Sequence, residues 1–286
     1  MGIFRLGIFP NMQIERVRDN LPKVIKTCLR YGIEPLLPHE LASAYNAASY
    51  DKHDTGGVDG LNAAVSLGGD GTFLQMASRV VERAVPVFGI NFGHLGFLAE
   101  IEFQGLDHAL KNLAEGSCTY EKRHLLQGTV WEGNLCRAKA LALNEFVVGT
   151  GGVATLSHLE MSINGKRSGA YAADGIIVAT ATGSTAYSLS AGGPLVQPEL
   201  DVMIITPVCS HALSSRPLVI PSSELVELRS LEPKPELMLF ADGRVVSAIG
   251  PEAGIRIIKS EQTINFIRLT GRSYYETWQL KLIRDM

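Results

Sequence analysis

The apolar run Ala63-Ala64-Val65-Ser66-Leu67 passes directly into Gly68-Gly69-Asp70-Gly71-Thr72, and a helical pattern over Thr72 to Arg83 follows at once. The chain before and after it keeps the same alternation. Ile3 to Phe9 is a short apolar run ending at Pro10-Asn11. Ile14, Val17, Leu21, Val24 and Cys28 then recur three and four apart, the stripe of a core-facing helix. Gly32 is placed to stop that helix. Ile33 to Leu37 reads as a second strand and Val85 to Asn91 as a fourth, with residues 51–60, including Thr55-Gly56-Gly57, as a loop. Strand, helix, strand and helix in this order predict an α/β domain with a parallel sheet over residues 1–100.

Beyond residue 100 the pattern changes. One helical stretch, Leu106 to Ala114, precedes many short strand-like segments. Asn164-Gly165 follows Leu159 to Ile163 and is a strong hairpin signal. Pro233-Lys234-Pro235 and Asp242-Gly243 punctuate strands near Leu225 to Leu228, Leu237 to Phe240 and Val245 to Ile249. Strands without intervening helices predict a β-rich domain over residues 101–265. The pattern of Ile264 to Ile283 assigns it to neither domain.

Composition narrows the function classes. The 286 residues are long enough for two domains, 46% hydrophobic and 19% charged, with a net charge of -3. No Lys/Arg block is present, which argues against a nucleic-acid partner. No apolar run reaches membrane-spanning length, and the N-terminus lacks a signal-peptide pattern, so a cytoplasmic protein with no membrane partner is expected. Cys28, Cys118, Cys136 and Cys209 lie far apart and read as isolated, reduced core thiols.

The glycine loop at 68–72 carries the first chemistry. Ligands of open α/β sheets bind beyond the carboxyl ends of the strands, and this loop follows a strand directly. Gly68, Gly69 and Gly71 let the backbone approach a phosphate, while the helix N-terminus adds a favourable partial charge. Thr72 can cap the helix or hydrogen-bond a phosphate. Asp70 is a poor neighbour for phosphate unless it holds a metal or takes a proton from an incoming hydroxyl, and both roles belong to phosphoryl transfer. The plainer alternative is a glycine-rich turn with Asp70 as a local cap. No Walker loop is present, and Gly149-Thr150-Gly151-Gly152-Val153-Ala154 leads into strand-like sequence rather than a Rossmann helix.

A second cluster runs from Asp174-Gly175 through Ala181-Thr182-Gly183-Ser184-Thr185-Ala186-Tyr187 to Ser190-Ala191-Gly192-Gly193-Pro194. Its hydroxyls, backbone N–H groups and aromatic face suit a phosphorylated, nucleotide-like ligand. It is not a G-x-S-x-G nucleophile elbow. Asn144-Glu145, after Ala140 to Leu143, adds an amide and a carboxylate able to read a base or ribose edge. In isolation Asn144-Glu145 also reads as a strand-end turn, and Tyr187 as a core aromatic.

Taken in order, Gly68-Gly69-Asp70-Gly71-Thr72, Gly89-Ile90-Asn91-Phe92-Gly93-His94-Leu95-Gly96-Phe97-Leu98, Leu143-Asn144-Glu145, Asp174-Gly175, Thr182 to Pro194 and His211-Ala212-Leu213-Ser214-Ser215-Arg216-Pro217 resemble the bacterial NAD kinase family. The likeness spans residues 62–245. It implies an α/β domain and a β-rich domain with a nucleotide cleft between them, and a chain end, about 266–286, that returns to the first domain. It also implies a homotetramer or homodimer in which a neighbouring subunit completes the NAD site.

By that likeness ATP phosphorylates the 2′-hydroxyl of the adenosine ribose of NAD, and Asp70 accepts the proton. Gly68, Gly69, Gly71 and Thr72 meet the phosphates, and Gly71 also lies beside the ribose. Asn144 and Glu145 hold the ribose and pyrophosphate region, and Asp174 the nicotinamide amide. Thr185, Ala186, Tyr187, Ser188, Leu189 and Ser190 line the rings. Phe92, Cys209, His211 and Arg244 are further candidates. Mg2+ is expected with the ATP, because no dense carboxylate cage for a resident metal is visible.

Three positions depart from the family pattern. Ala172 stands where Arg or Lys is frequent, Ala181 where proline is usual, and Arg244 where glutamine is common. Two rival readings share parts of the pattern: a lipid or small-molecule kinase using the same loop, and a non-catalytic NAD(P)-binding sensor.

Overall fold

The computed structural model describes residues 3–50, 58–93, 95–150, 156–210, 215–232, 237–250 and 252–283. Thr55-Gly56-Gly57, Gly151 to Ala154 and Pro233-Lys234-Pro235 lie outside the described residues. The chain divides into two compact units, one of residues 1–122 with 264–286 and one of residues 123–263.

The first unit opens with β1 (Phe4–Pro10), α1 (Glu15–Arg30), β2 (Ile33–Leu37), α2 (His39–Ala42) and β3 (Ala48–Ser49). It continues with β4 (Ala63–Gly68), α3 (Asp70–Val80), β5 (Val87–Asn91), β6 (Ile101–Glu102) and α4 (Leu106–Glu115). All these strand pairs are parallel, in the order β3-β2-β1-β4-β5-β6. The stripe on α1 is buried as its spacing predicts, with Val17, Leu21, Val24 and Cys28 fully covered. Gly32 follows the helix with φ 72°, a conformation that suits glycine.

Two boundaries differ from the sequence pattern. Helix α3 starts at Asp70 rather than Thr72, because Gly69 is its N-cap and the Gly69 carbonyl accepts from Thr72 N and Phe73 N. Strand β5 starts at Val87 because Pro86 has no N–H to give the ladder, though its carbonyl still accepts from Ala64 N at 2.8 Å. The register pairs Pro10 with Leu67 and Gly68 with Asn91. The carboxyl ends of β1, β4 and β5 are therefore level, and the glycine loop leaves the sheet at that edge.

The second unit holds β8 (Leu135–Ala142), β9 (Glu145–Thr150), β10 (Ser157–Ile163), β11 (Lys166–Ala173) and β12 (Gly175–Thr180), which follow β7 (Thr119–Glu132). Next come α5 (Tyr187–Ser190), β13 (Val202–Val208), β14 (Leu218–Pro221) and β15 (Val226–Ser230). β16 (Leu237–Ala241), β17 (Arg244–Ile249) and β18 (Ala253–Arg268) complete it. One antiparallel sheet has the order β14-β13-β12-β9-β16-β17. A second layer contains β11-β10-β15-β18 and the β7–β8 hairpin. Phe146, Val148, Ile176 and Val178 of the first layer share a core with Leu159, Met161, Leu228 and Ile255 of the second, the packing of a β-sandwich.

Asn164 and Gly165 take φ of 51° and 73°, and Asp242 and Gly243 take 47° and 75°, as two-residue type I′ hairpins require. The expected pairing of a parallel α/β domain with a β-rich domain is what the structure shows. After β18 the chain forms α6 (Tyr274–Trp278), and Phe266 pairs in parallel with Val87 of the first unit. The cysteines correct one expectation. Cys28 is a core thiol, pushed up to about 12 by burial, and Cys118 packs half-buried against the same core, whereas Cys136, on the edge strand β8, and Cys209 are exposed.

Candidate active site

Gly68, the last residue of β4, has φ 155°, and a side chain there would overlap the Thr72 hydroxyl. The strand therefore turns into α3 within two residues and presents Asp70 at the first helical position. Asp70 caps nothing in its own helix. Its carboxylate instead gathers three consecutive N–H groups: Phe97 N donates to Oδ2 at 2.9 Å, Leu98 N and Ala99 N to Oδ1 at 3.0 and 2.9 Å. An ionised carboxylate has about four lone-pair directions. Among the described residues both on Oδ1 are taken, and one on Oδ2 has no donor.

Glycines allow this arrangement. A Cβ on Gly96 would overlap Asp70 Oδ1, and one on Gly89 would come within 2.8 Å of the Ala99 backbone and 2.9 Å of Phe73. The 97–99 strap thus packs against both β5 and α3. Gly71 is exposed with open space where a side chain would stand. Thr72 N and Phe73 N donate to the Gly69 carbonyl, whereas Asp70 N and Gly71 N, which begin α3, have no intrahelical acceptor and can meet an anion. Asn11 Nδ2 donates to the Thr72 hydroxyl at 3.4 Å, and Asn11 N to the Leu67 carbonyl at 2.9 Å.

The strap is anchored at its far end by ions. Arg268 donates through Nη1 to Glu100 Oε2 and through Nη2 to Glu121 Oε2 at 2.7 Å, and Arg272 Nη1 reaches the Glu100 carbonyl at 3.3 Å. Burial pushes the Glu100 carboxyl up, and the Arg268 charge opposes this. Phe97 packs beside Tyr274 and carries Lys281 over its ring at 4.3 Å.

In the second unit the turn Leu143-Asn144-Glu145 joins β8 to β9, and another carboxylate collects its amides. Leu143 N donates to Asp242 Oδ2 at 2.8 Å; Asn144 N and Glu145 N donate to Asp242 Oδ1 at 2.8 and 3.2 Å. Asp242 N in return donates to the Glu145 carbonyl at 3.0 Å. The other carbonyls of the turn are met from β12, by Thr180 Oγ1 on Leu143 O at 2.7 Å and Thr180 N on Asn144 O at 2.8 Å. Gly183 N donates to Thr180 Oγ1 at 2.9 Å, and a Cβ on Gly183 would overlap the Asn144 backbone. The turn and the Thr182–Thr185 segment are thereby one piece.

Glu145 is 6% exposed, accepts from the Tyr187 backbone N–H, and leaves Oε2 buried without a partner. Burial first, and the Asp242 charge second, push its carboxyl up to about 8. Burial also pushes Asp242 up, but three N–H donors and Arg244 oppose it. Asp242 is therefore the ionised member of the pair and Glu145 the protonated one at neutral pH.

The remaining candidates divide. Tyr187 is 45% exposed, not a core aromatic, and Ser190 is exposed beside it. Thr185, Ala186 and Leu189 are half-buried. Ser188 is fully buried with its hydroxyl on Thr206 Oγ1 at 2.9 Å. Phe92 is 2% exposed and packs on Phe103 in the core of the first unit. Arg244 and Cys209 are exposed, Cys209 with φ 47°. His211 lies outside the described residues. Asp174 precedes β12, whereas Thr180, Thr182 and the partner of Ala179, Glu145, stand at its other end. At about 3.3 Å per residue the five residues from Asp174 to Ala179 keep Asp174 roughly 17 Å from Glu145.

Asp242, Glu100, Arg268 and Asn11 were not legible as site residues. Their roles come from partners far along the chain, and only Gly96 had a local signal, in the Gly93-to-Leu98 run.

Comparison with known proteins gives the family. The family description "ATP-NAD kinase N-terminal domain" matches residues 19–118, and "ATP-NAD kinase C-terminal domain" matches residues 143–269. An NAD kinase of Thermoanaerobacter sp. (strain X514) is 34% identical over 278 residues, 97% of this chain and 98% of that protein. One from Moorella thermoacetica is 38% identical over 283 residues, 97% of this chain and 89% of that protein. Among solved structures, yeast NADH kinase complexed with NADH superposes with TM-score 0.88 at 22% identity, covering 99% of this chain and 88% of that one. An Archaeoglobus fulgidus NAD kinase in complex with ATP gives 0.78 at 24% identity, covering 97% of this chain and 99% of that one. These two share the fold. With both domain descriptions matched and full-length relatives above 30% identity, the chain belongs to the NAD kinase family.

Proposed function

We propose that the protein transfers the γ-phosphoryl group of MgATP to the 2′-hydroxyl of the adenosine ribose of NAD, giving NADP and ADP, with Asp70 as the general base. One observation carries the assignment of the base. The Asp70 carboxylate is fixed by three backbone N–H groups and keeps a single open lone pair on Oδ2, at the start of α3. The hydroxyl O–H bond breaks toward that lone pair as the new P–O bond forms, and the bond to the ADP oxygen breaks. The free N–H groups of α3 and the open space at Gly71 suit the phosphates of the donor.

Asn144, Glu145 and the exposed Tyr187 bind the acceptor, with Thr185, Ala186, Leu189 and Ser190 beside them. Ser188 supports this segment from within through Thr206. Asp174, held roughly 17 Å from Glu145 along β12, suits a homo-oligomer in which it serves the NAD site of a neighbouring copy. Among the described residues no group of three or more His, Cys, Asp or Glu could hold a metal ion. The divalent cation therefore belongs to the substrate, held by the nucleotide phosphates and water. No helix among the described residues is long and apolar enough to cross a membrane, and we keep the cytoplasmic location expected from the sequence.

The test is Asp70→Asn, assayed for NADP by a coupled dehydrogenase, with NAD binding measured separately. Turnover should fall about 10²–10⁴-fold while NAD affinity stays close to that of the parent enzyme. Near-normal NADP formation would remove Asp70 from the role.

A further inference from the structure

Asp242 entered the sequence reading only as turn punctuation, yet it holds more of the acceptor-side backbone than any other described side chain of the second unit. It accepts from three consecutive N–H groups, of Leu143, Asn144 and Glu145, and its own N–H closes back on the Glu145 carbonyl. Its position is itself fixed, because the Asp242-Gly243 hairpin has positive φ at both residues and β16 pairs with β9 through Ala241 and Phe146. Two neighbouring carboxylates, Glu145 buried and Asp242 half-buried, thus have unequal surroundings. Asp242 has three donors, whereas Glu145 has the Tyr187 amide and one buried oxygen without a partner. An orphan buried oxygen costs about 1–3 kcal/mol unless something reaches it. A bound ligand can.

We infer that Asp242 is a positioning residue of the acceptor site: it fixes the Leu143–Glu145 turn and keeps the Glu145 carboxyl as a hydrogen-bond donor toward a hydroxyl or phosphate-ester oxygen of the bound dinucleotide. The inference rests on the acceptor role proposed above for Glu145. The groups acting on Glu145 are Asp242, from the β16–β17 turn, and the Tyr187 amide. Arg244 acts in turn on Asp242. From β12 the neighbours are neutral, Ala179 opposite Glu145 and the Thr180 hydroxyl on Leu143 O. A protonated Glu145 donates to an oxygen of the ligand; an ionised one repels a pyrophosphate. Asp242 itself need not touch the ligand.

The experiment compares wild type and Asp242→Asn in NADP formation across neutral and alkaline pH, with KM for NAD, KM for ATP and kcat resolved at each pH. In the wild type, KM for NAD should rise as pH passes about 8 while kcat and KM for ATP hold. Asp242→Asn should raise KM for NAD roughly tenfold at neutral pH, the loss of one charge-assisted hydrogen bond. It should also move the break to lower pH, because the negative charge that favours protonated Glu145 is gone. A fall in kcat with both KM values rising and the break unmoved would leave Asp242 a structural residue only. Should the variant fail to fold, the wild-type profile decides alone, and a flat KM for NAD through pH 8 overturns the inference. NADP production by the wild type tests the activity independently of either result.

Discussion

Asp70 and Asp242 each take three consecutive backbone amides, and the difference between them lies in what is left over. At Asp70 the remaining lone pair faces the proposed reaction; at Asp242 the remaining influence is charge, spent on Glu145. That charge and burial have a consequence for stability. Unfolded, Glu145 gives up its proton near 4.5; folded, near 8, so between these values the folded state holds more protons. Stability from this group is therefore full below 4.5 and declines as pH rises toward 8, with a limiting slope of ~1.4 kcal/mol per pH unit. Glu145→Gln should flatten that decline, measured by urea denaturation at a series of pH values; an unchanged slope would show that another group sets it. Asp70 could be found in the sequence because strand, glycine loop and helix are adjacent. Asp242 could not, since its partners lie 97 to 99 positions away.

At the scale of elements, the segment that holds the base is itself held by the returning chain. Glu100 is 7% exposed, and the Arg268 side chain that pairs with it is 13% exposed. Removing one partner of a buried pair strands the other charge, which costs about 3–5 kcal/mol. Arg268→Ala should lower the unfolding free energy by about 3 kcal/mol and reduce kcat more than it raises KM for ATP, because Ala99 adjoins Glu100 and donates to Asp70. A cost near zero in denaturation would mean that the pair is no buttress. The hairpin turns were legible because a positive φ must be met by the turn residues themselves. The return was implied only by the family likeness, because a strand pairing through Phe266 and Val87 has no local signature. One signal was overlooked: Ser273 and Glu276 form a capping box, Glu276 N to Ser273 Oγ at 3.2 Å and Ser273 N to Glu276 Oε2 at 2.6 Å.

For the molecule as a whole, periodicity carried the fold class. Alternating three-and-four spacing with apolar runs gave the parallel sheet, and closely spaced turn residues gave the β-rich domain. The chemistry divides the same way, with proton acceptance proposed for the first unit and acceptor recognition for the second. If the divalent cation arrives with the nucleotide, as proposed, a chelator should act on the substrate alone. EDTA in excess should abolish NADP formation, added Mg2+ should restore it, and the melting temperature should not move. A melting temperature that falls on chelation would reveal a resident ion.

The first unit takes its last residues from 264–286, so its sequence is interrupted by the whole of the second. A ribosome makes residues 1–122 and then all of 123–263 before it reaches Arg268. During that interval Glu100 waits unpaired, and the strap over Asp70 lacks its anchor. The second unit has all of its residues before Arg268 is made, so its folding can precede the contact that supports the base.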